Sequence, residues 1–176
     1  MKELLDKLSS YNLFNYLLPG VLFAIIATKT TQVTLVIEDI VLGVFIYYFY
    51  GMVISRVGSV VIEPILKKTK LAQFSSYEKF IAASKTDSNI EVLSEANNTY
   101  RTMISLFIVL LVFTGVDSLR TYLGHSIRAY GIAFLMILAL LFLLSYRKQT
   151  LYIRKRVLYH TASADIGTDD PGKKKT

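Results

Sequence analysis

The chain has 176 residues, 53% of them hydrophobic, with a positive mean hydropathy and a formal net charge of +7. That is more apolar surface than a soluble domain of this length buries, so the composition points to an integral membrane protein. Cysteine is absent, which excludes disulfide frameworks, thiolate metal sites and thiol redox chemistry.

Residues 1–11 place Leu4, Leu5, Leu8 and Tyr11 on one helical face, opposite Lys2, Glu3, Asp6 and Lys7. This predicts an amphipathic helix lying on the membrane surface. The segment lacks the layout of a cleaved signal, because acidic residues sit among its charges and no small-residue cleavage site follows the apolar run.

Four apolar stretches follow, 13–36, 40–62, 103–123 and 127–146, each near the roughly 20 residues a helix needs to cross a bilayer. They predict an all-α membrane protein of four transmembrane helices, with residues 12–62 and 102–146 as two transmembrane hairpins. If the N-terminus is cytoplasmic, only Lys29, Arg120 and Arg128 among the lysines and arginines fall outside. Both ends inside therefore satisfies the positive-inside bias at every loop. The excess charge then lies next to anionic lipid, so a bilayer is the expected partner and nucleic acid is not.

Span 1 opens on Asn12-Leu13-Phe14-Asn15-Tyr16-Leu17-Leu18-Pro19-Gly20. Pro19 lacks a backbone donor and Gly20 loosens the helix, so a kink or helix start is expected here. Two readings stand: a kinked span whose asparagine amides find partners on neighbouring helices, or a hinge at Pro19 and Gly20 that responds to a ligand. Glu38 and Asp39 lie where span 2 begins, the sign that suits a helix N-terminus.

Span 2 is the least lipid-like. Gly51, Ser55 and Ser59 recur every four residues with Gly58 beside them, a stripe that lets another helix approach closely. Tyr47, Tyr48 and Tyr50 sit deeper than an aromatic belt requires, and their hydroxyls need partners. Arg56 and Glu63 share a face seven residues apart. Either Arg56 snorkels to the headgroups and pairs with Glu63, or it faces a wet bundle interior. Tyr47, Tyr50, Gly51, Ser55, Arg56, Ser59 and Glu63 are accordingly the candidates for pore lining or helix packing.

Residues 63–101 carry two capping-box patterns, Ser75 with Glu78 and Ser88 with Glu91, and predict a cytoplasmic helical hairpin between spans 2 and 3. Leu71, Phe74, Tyr77 and Ile81 give it an apolar face, to be packed on its own subunit, a neighbouring copy or a cytosolic partner. From Met103 through Val116 span 3 is the most uniformly apolar, the pattern of lipid exposure. Asp117 and Arg120 form a local pair beyond it. Gly124-His125-Ser126 is the expected outer turn, with Ser126 as a cap.

Span 4 continues without a breaker into residues 147–160, a basic helical extension whose Arg147, Lys148, Arg154, Lys155 and Arg156 are candidates for lipid or partner binding. From 161 to 176 small and acidic residues, Pro171-Gly172 and lysines predict a flexible tail.

Catalytic patterns are lacking. The two histidines, His125 and His160, fall on opposite sides of the predicted membrane, and there is no metal-ligand cluster, phosphate-binding glycine loop or nucleophile elbow. No enzyme activity, metal or cofactor is therefore expected.

The run from Tyr11 to Phe23, YNLFNYLLPGVLF, on a four-span chain with a helical inner loop, resembles small membrane proteins of bacterial antiphage defence systems. The similarity covers about a dozen residues plus the overall layout, and no functional residue carries over with it. It implies an effector that disturbs the bacterial inner membrane once a cytosolic sensor or signal is triggered. The expected protein is thus an oligomeric, channel-like or membrane-disrupting effector under the control of a cytosolic partner, its copies arranged about an axis lined by span 2. The alternative is a non-conducting anchor or sensor subunit that recruits a cytosolic defence protein.

Overall fold

The computed structural model describes residues 12–123 and 127–168. The predicted surface helix 1–11, the outer turn with Ser126 and the last residues of the tail, 169–176, lie outside the described residues. All the described regular structure is helical, and four helices are long and apolar enough to cross a membrane: Leu13–Thr30, Ile40–Lys68, Asn89–Tyr122 and Gly131–Tyr159. The chain is a multi-pass, all-α membrane protein whose outer surface is apolar and suited to lipid.

Span 1 begins as a single wide π-turn, Leu13–Leu17, and becomes α1, Leu18–Thr30. Pro19 sits in the first turn of α1 and supplies no N–H, so the turn before it loses an i−4 bond and widens; the Leu18 N–H reaches Leu13 O instead. Span 2 repeats the device. After α2, Ile40–Val57, a π-turn at Gly58–Ile62 leads to α3, Glu63–Lys68, with Pro64 in its first turn. In each case the proline stands two residues beyond the π-turn.

Asp39 caps α2, its Oδ1 accepting from the Leu42 N–H at 2.8 Å, as the acidic pair at this position leads one to expect. Span 1, however, ends at Thr30 and not near residue 36. The Thr31 hydroxyl donates back to Ala27 O at 2.8 Å, and the backbone turns extended at Thr31.

The inner connection differs from the predicted hairpin in one respect. Its first helix is α4, Tyr77–Thr86, but its second is not separate: α5 runs without interruption over Asn89–Leu123, 35 residues and about 50 Å at ~1.5 Å per residue. No Pro or Gly stands between Asn89 and Gly115 to stop it. Ser76 rather than Ser75 is the N-cap of α4, and the turn into α5 is held by Asp87 Oδ1 accepting from the Asn89 N–H at 2.9 Å. Ile81 is buried, and the Tyr77 ring meets Tyr152 of the last helix at 6.1 Å, so α4 packs on its own chain.

The last helix, α6, spans Ile127–Thr168. It passes residue 161, where the change in composition predicts a flexible tail, because no Pro or Gly stands between Gly131 and Gly167.

The core is small. Phe23, Ala27, Ile54, Leu106 and Leu110 form its buried cluster, flanked by Tyr50 and Phe113, whose rings both meet Phe23 edge-on. Span 3 therefore is not a lipid-facing helix throughout. Thr102, Ser105, Leu106 and Leu110 form an inward stripe, whose leucines the sequence conceals because from Leu106 to Phe113 both faces are apolar. Spans 1 and 2 touch backbone to backbone: a Cβ added at Gly20 would lie 1.7 Å from Tyr47 O, and one at Gly51 would lie 1.7 Å from Tyr16 O. In lipid, where water drives little helix association, such close approach is what holds helices together.

Candidate functional site: a charged cleft at the lysine-rich end

The lysine-rich end of the bundle is built around one carboxylate. Glu63, placed by the π-turn and Pro64 at the start of α3, is 5% exposed. It accepts from Lys67 at 2.6 Å, from Arg101 of α5 at 2.7 Å and from Lys148 of α6 at 3.1 Å. Lys148 also donates to the backbone oxygen of Ser59 and, at 2.9 Å, to its hydroxyl. A buried carboxylate needs such pairing, and here the pairing joins spans 2, 3 and 4.

One layer further in, Asn15, Ser55 and Thr102 meet from three helices. The Thr102 hydroxyl donates to Asn15 Oδ1 at 2.8 Å and lies 3.3 Å from Ser55 Oγ, while Asn15 Nδ2 reaches the same Ser55 oxygen at 3.5 Å. Asn15 and Thr102 are essentially inaccessible. The π-turn at Leu13–Leu17 carries Asn15, and the π-turn at Gly58–Ile62 carries Ser59, so both wide turns flank the same region.

Between the carboxylate hub and this node lies an open cleft of about 310 Å³. Arg56, Arg101, Lys148 and Glu63 give its walls three cations and one anion, and Asn98 and Gln149 add amides. Arg56 makes no ion pair among the described residues, with Glu63 or any other carboxylate; that carboxylate is instead taken by Lys67, Arg101 and Lys148. Arg101 Nε is buried without an acceptor among the described residues. Beyond the node the bundle is dry, because Ala24, Ala27 and Leu106 have no exposure. At the far end polar groups return: Asp117 accepts from the Gln32 N–H at 3.0 Å and from Arg120 at 2.8 Å, and the hydroxyls of Thr30 and Thr114 lie 3.3 Å apart.

Comparison of the chain with protein-family models, with curated proteins and with solved structures gives no match. Its function must therefore be argued from this geometry.

The residues singled out in the sequence divide. Ser55, Arg56, Ser59 and Glu63 come together at the cleft. Gly51 lies deeper, against Tyr16, and serves the contact between spans 1 and 2. Tyr47 belongs to the opposite end, where its hydroxyl accepts from the Ile37 N–H at 2.9 Å, and Tyr50 packs on Phe23. The small-residue stripe of span 2 thus faces the other spans of the same chain, not a free axis. Pro19 and Gly20 are buried in the first turn of α1, with the wide turn just before them.

The basic extension divides too. Lys148 shares a helical face with the buried Leu141 and Ser145 and turns inward, whereas Arg147, Arg154, Lys155 and Arg156 are exposed. Thr102, Ser105 and Arg101 are site residues that sequence reasoning missed as such. Their signal was polar residues recurring at three- and four-residue spacing at the entry to span 3.

Proposed function

We propose that the protein is a gated effector of the bacterial inner membrane, held closed at rest and opened by a cytosolic signal or partner that reaches its lysine-rich end. One observation carries this reading: along the inward face of α5, polar Asn98, Arg101, Thr102 and Ser105 are followed by apolar Leu106 and Leu110, then by polar Thr114 and Asp117. A dry layer between two polar ones would act as a hydrophobic gate, blocking ions until it is wetted. The near polar layer draws on all four spans and the far one on spans 1 and 3, so the proposed route runs through each bundle and does not require a ring of span 2 helices.

Copies of the subunit associate through the exposed apolar faces of α2 and α6, and the exposed Leu71, Phe74 and Leu93 near the lysine-rich end receive the partner. The positive-inside bias of the lysines and arginines supports a cytoplasmic position for that end. The resemblance at Tyr11 to Phe23 adds antiphage defence as the setting. Polarising the gate with Leu110→Asn is expected to depolarise expressing bacteria, as read with a potential-sensitive dye. Full membrane potential with the folded variant in the membrane would refute it.

The anchor reading keeps one supporting observation: Gly51 is packed tightly against Tyr16 of span 1 and Gly58 against Arg101 and Ser105 of span 3, so packing within the chain accounts for both glycines. It requires that no variant of the dry layer conducts.

A further inference from the structure

We infer that the cleft at the lysine-rich end is a binding site for a phosphate monoester group. The cations there exceed what their surroundings neutralise. Arg56, Arg101 and Lys148 line a cleft that holds one carboxylate, Glu63, and Lys67 shares that carboxylate from outside. Cations gathered at the rim of a membrane bundle repel one another and lose hydration, so an anion between them is favoured.

The residues of the cleft keep donors that the ion pairs do not use. Arg101 uses Nη1 on Glu63, at 2.7 Å, and leaves Nε buried without an acceptor among the described residues. Arg56 keeps its whole guanidinium fork, a planar set of N–H donors that matches two phosphate oxygens. Asn98 and Gln149 also line the cleft, and a side-chain amide is a neutral donor suited to a third oxygen. At about 310 Å³ the cleft has roughly ten times a water molecule's share of ~30 Å³ in the liquid, enough for a phosphate and its first waters. Two π-turns carry residues of the cleft, and such turns are frequent at functional sites because they re-aim side chains.

The group can come from a lipid headgroup or from a soluble phosphate. Its chemistry is the same in both, and the inference does not depend on whether the protein conducts. The test uses the full chain in mild detergent and follows thermal unfolding at constant ionic strength. Inorganic phosphate is added against chloride in one arm; in the other, micelles carry phosphatidic acid or phosphatidylcholine.

Wild type is expected to rise in Tm with phosphatidic acid alone if the source is a headgroup, and with inorganic phosphate as well if it is a soluble ligand. Arg56→Gln, which breaks no ion pair among the described residues, and Asn98→Ala are each expected to weaken binding, the arginine change by about tenfold or more. Arg56→Lys is expected to fall between wild type and Arg56→Gln. Lys79→Gln, an exposed charge on α4 that does not line the cleft, is expected to leave the shift intact. No shift in either arm, or an equal loss in Lys79→Gln, overturns the inference.

Discussion

Replacing Gly51 by alanine is the sharpest probe of how this bundle holds together. The added Cβ would sit 1.7 Å from Tyr16 O, about 1.7 Å short of ordinary contact at 3.4 Å, and the obstacle is backbone, which has no rotamer to escape into. Spans 1 and 2 must therefore separate along a contact that runs from Asn15–Ser55 at the lysine-rich end to Gly20–Tyr47 further out. A radial gap of even 0.5–1 Å forfeits roughly a quarter to a half of each dispersion contact, and overpacking of this kind costs about 1–3 kcal/mol. We expect Gly51→Ala to lose about 2–3 kcal/mol in reversible unfolding by SDS in mixed micelles, followed by helical circular dichroism. Gly20→Ala should cost a similar amount, and the double variant less than the sum, because the first methyl has already parted the helices. Gly115→Ala and Gly131→Ala are the controls, since nothing lies within 4 Å of either added Cβ. They should be neutral, or stabilising by up to ~1 kcal/mol through helix propensity. A Gly51→Ala protein within ~0.5 kcal/mol of wild type, the range of inert surface changes, would refute the close contact.

Three further outcomes follow from the polar layers and the charge distribution. Glu63→Gln removes the common acceptor of Lys67, Arg101 and Lys148, and should destabilise the bundle by about 1–3 kcal/mol, less than for a fully buried pair because the lysine side chains remain 42% and 26% exposed. The same variant should loosen α6, read as weaker bis-maleimide cross-linking between cysteines placed at Phe49 and Phe142, whose rings stack at 6.5 Å outside the hub; an unchanged yield would mean the hub does not hold span 4. Thr102→Val leaves Asn15 Oδ1 without its hydroxyl donor and should cost about 0.5–1.5 kcal/mol by the same SDS titration, and a neutral result would show the node is not bonded in the membrane. Cysteine at Ser84 should be labelled only from the cytoplasm and cysteine at Thr31 only from outside; the reverse pattern would invert the topology.

Much of the helical plan was open to reading in the sequence, because apolar runs of about 20 residues and asymmetric lysines are dictated by the bilayer itself. The caps were legible in part: Asp39 does cap α2, and Asp117 does pair with Arg120 at 2.8 Å. The inward face of span 3 was hidden because from Leu106 to Phe113 every residue is apolar, and periodicity needs contrast to show a face. The partner of Glu63 was hidden for another reason. Arg56 shares its helical face at seven-residue spacing, but the π-turn at Gly58–Ile62 lies between them and changes that register, while Arg101 and Lys148 arrive from helices far along the chain. The pairing of a π-turn with a proline two residues on is visible only once Pro19 and Pro64 are seen to play the same part.

Ion flux from liposomes containing purified protein tests the proposed gate most directly. Wild type without its trigger should hold a potassium gradient. Leu110→Ser, which puts a hydroxyl into the dry layer formed with Phe23, Ile54 and Leu106, should release it, because a wetted constriction no longer excludes ions. Leu111→Ser, one position along on the exposed side of the same helix, should remain tight. A Leu110→Ser protein that keeps its helicity and its unfolding transition yet holds the gradient as well as wild type would contradict a gated effector and leave a membrane anchor.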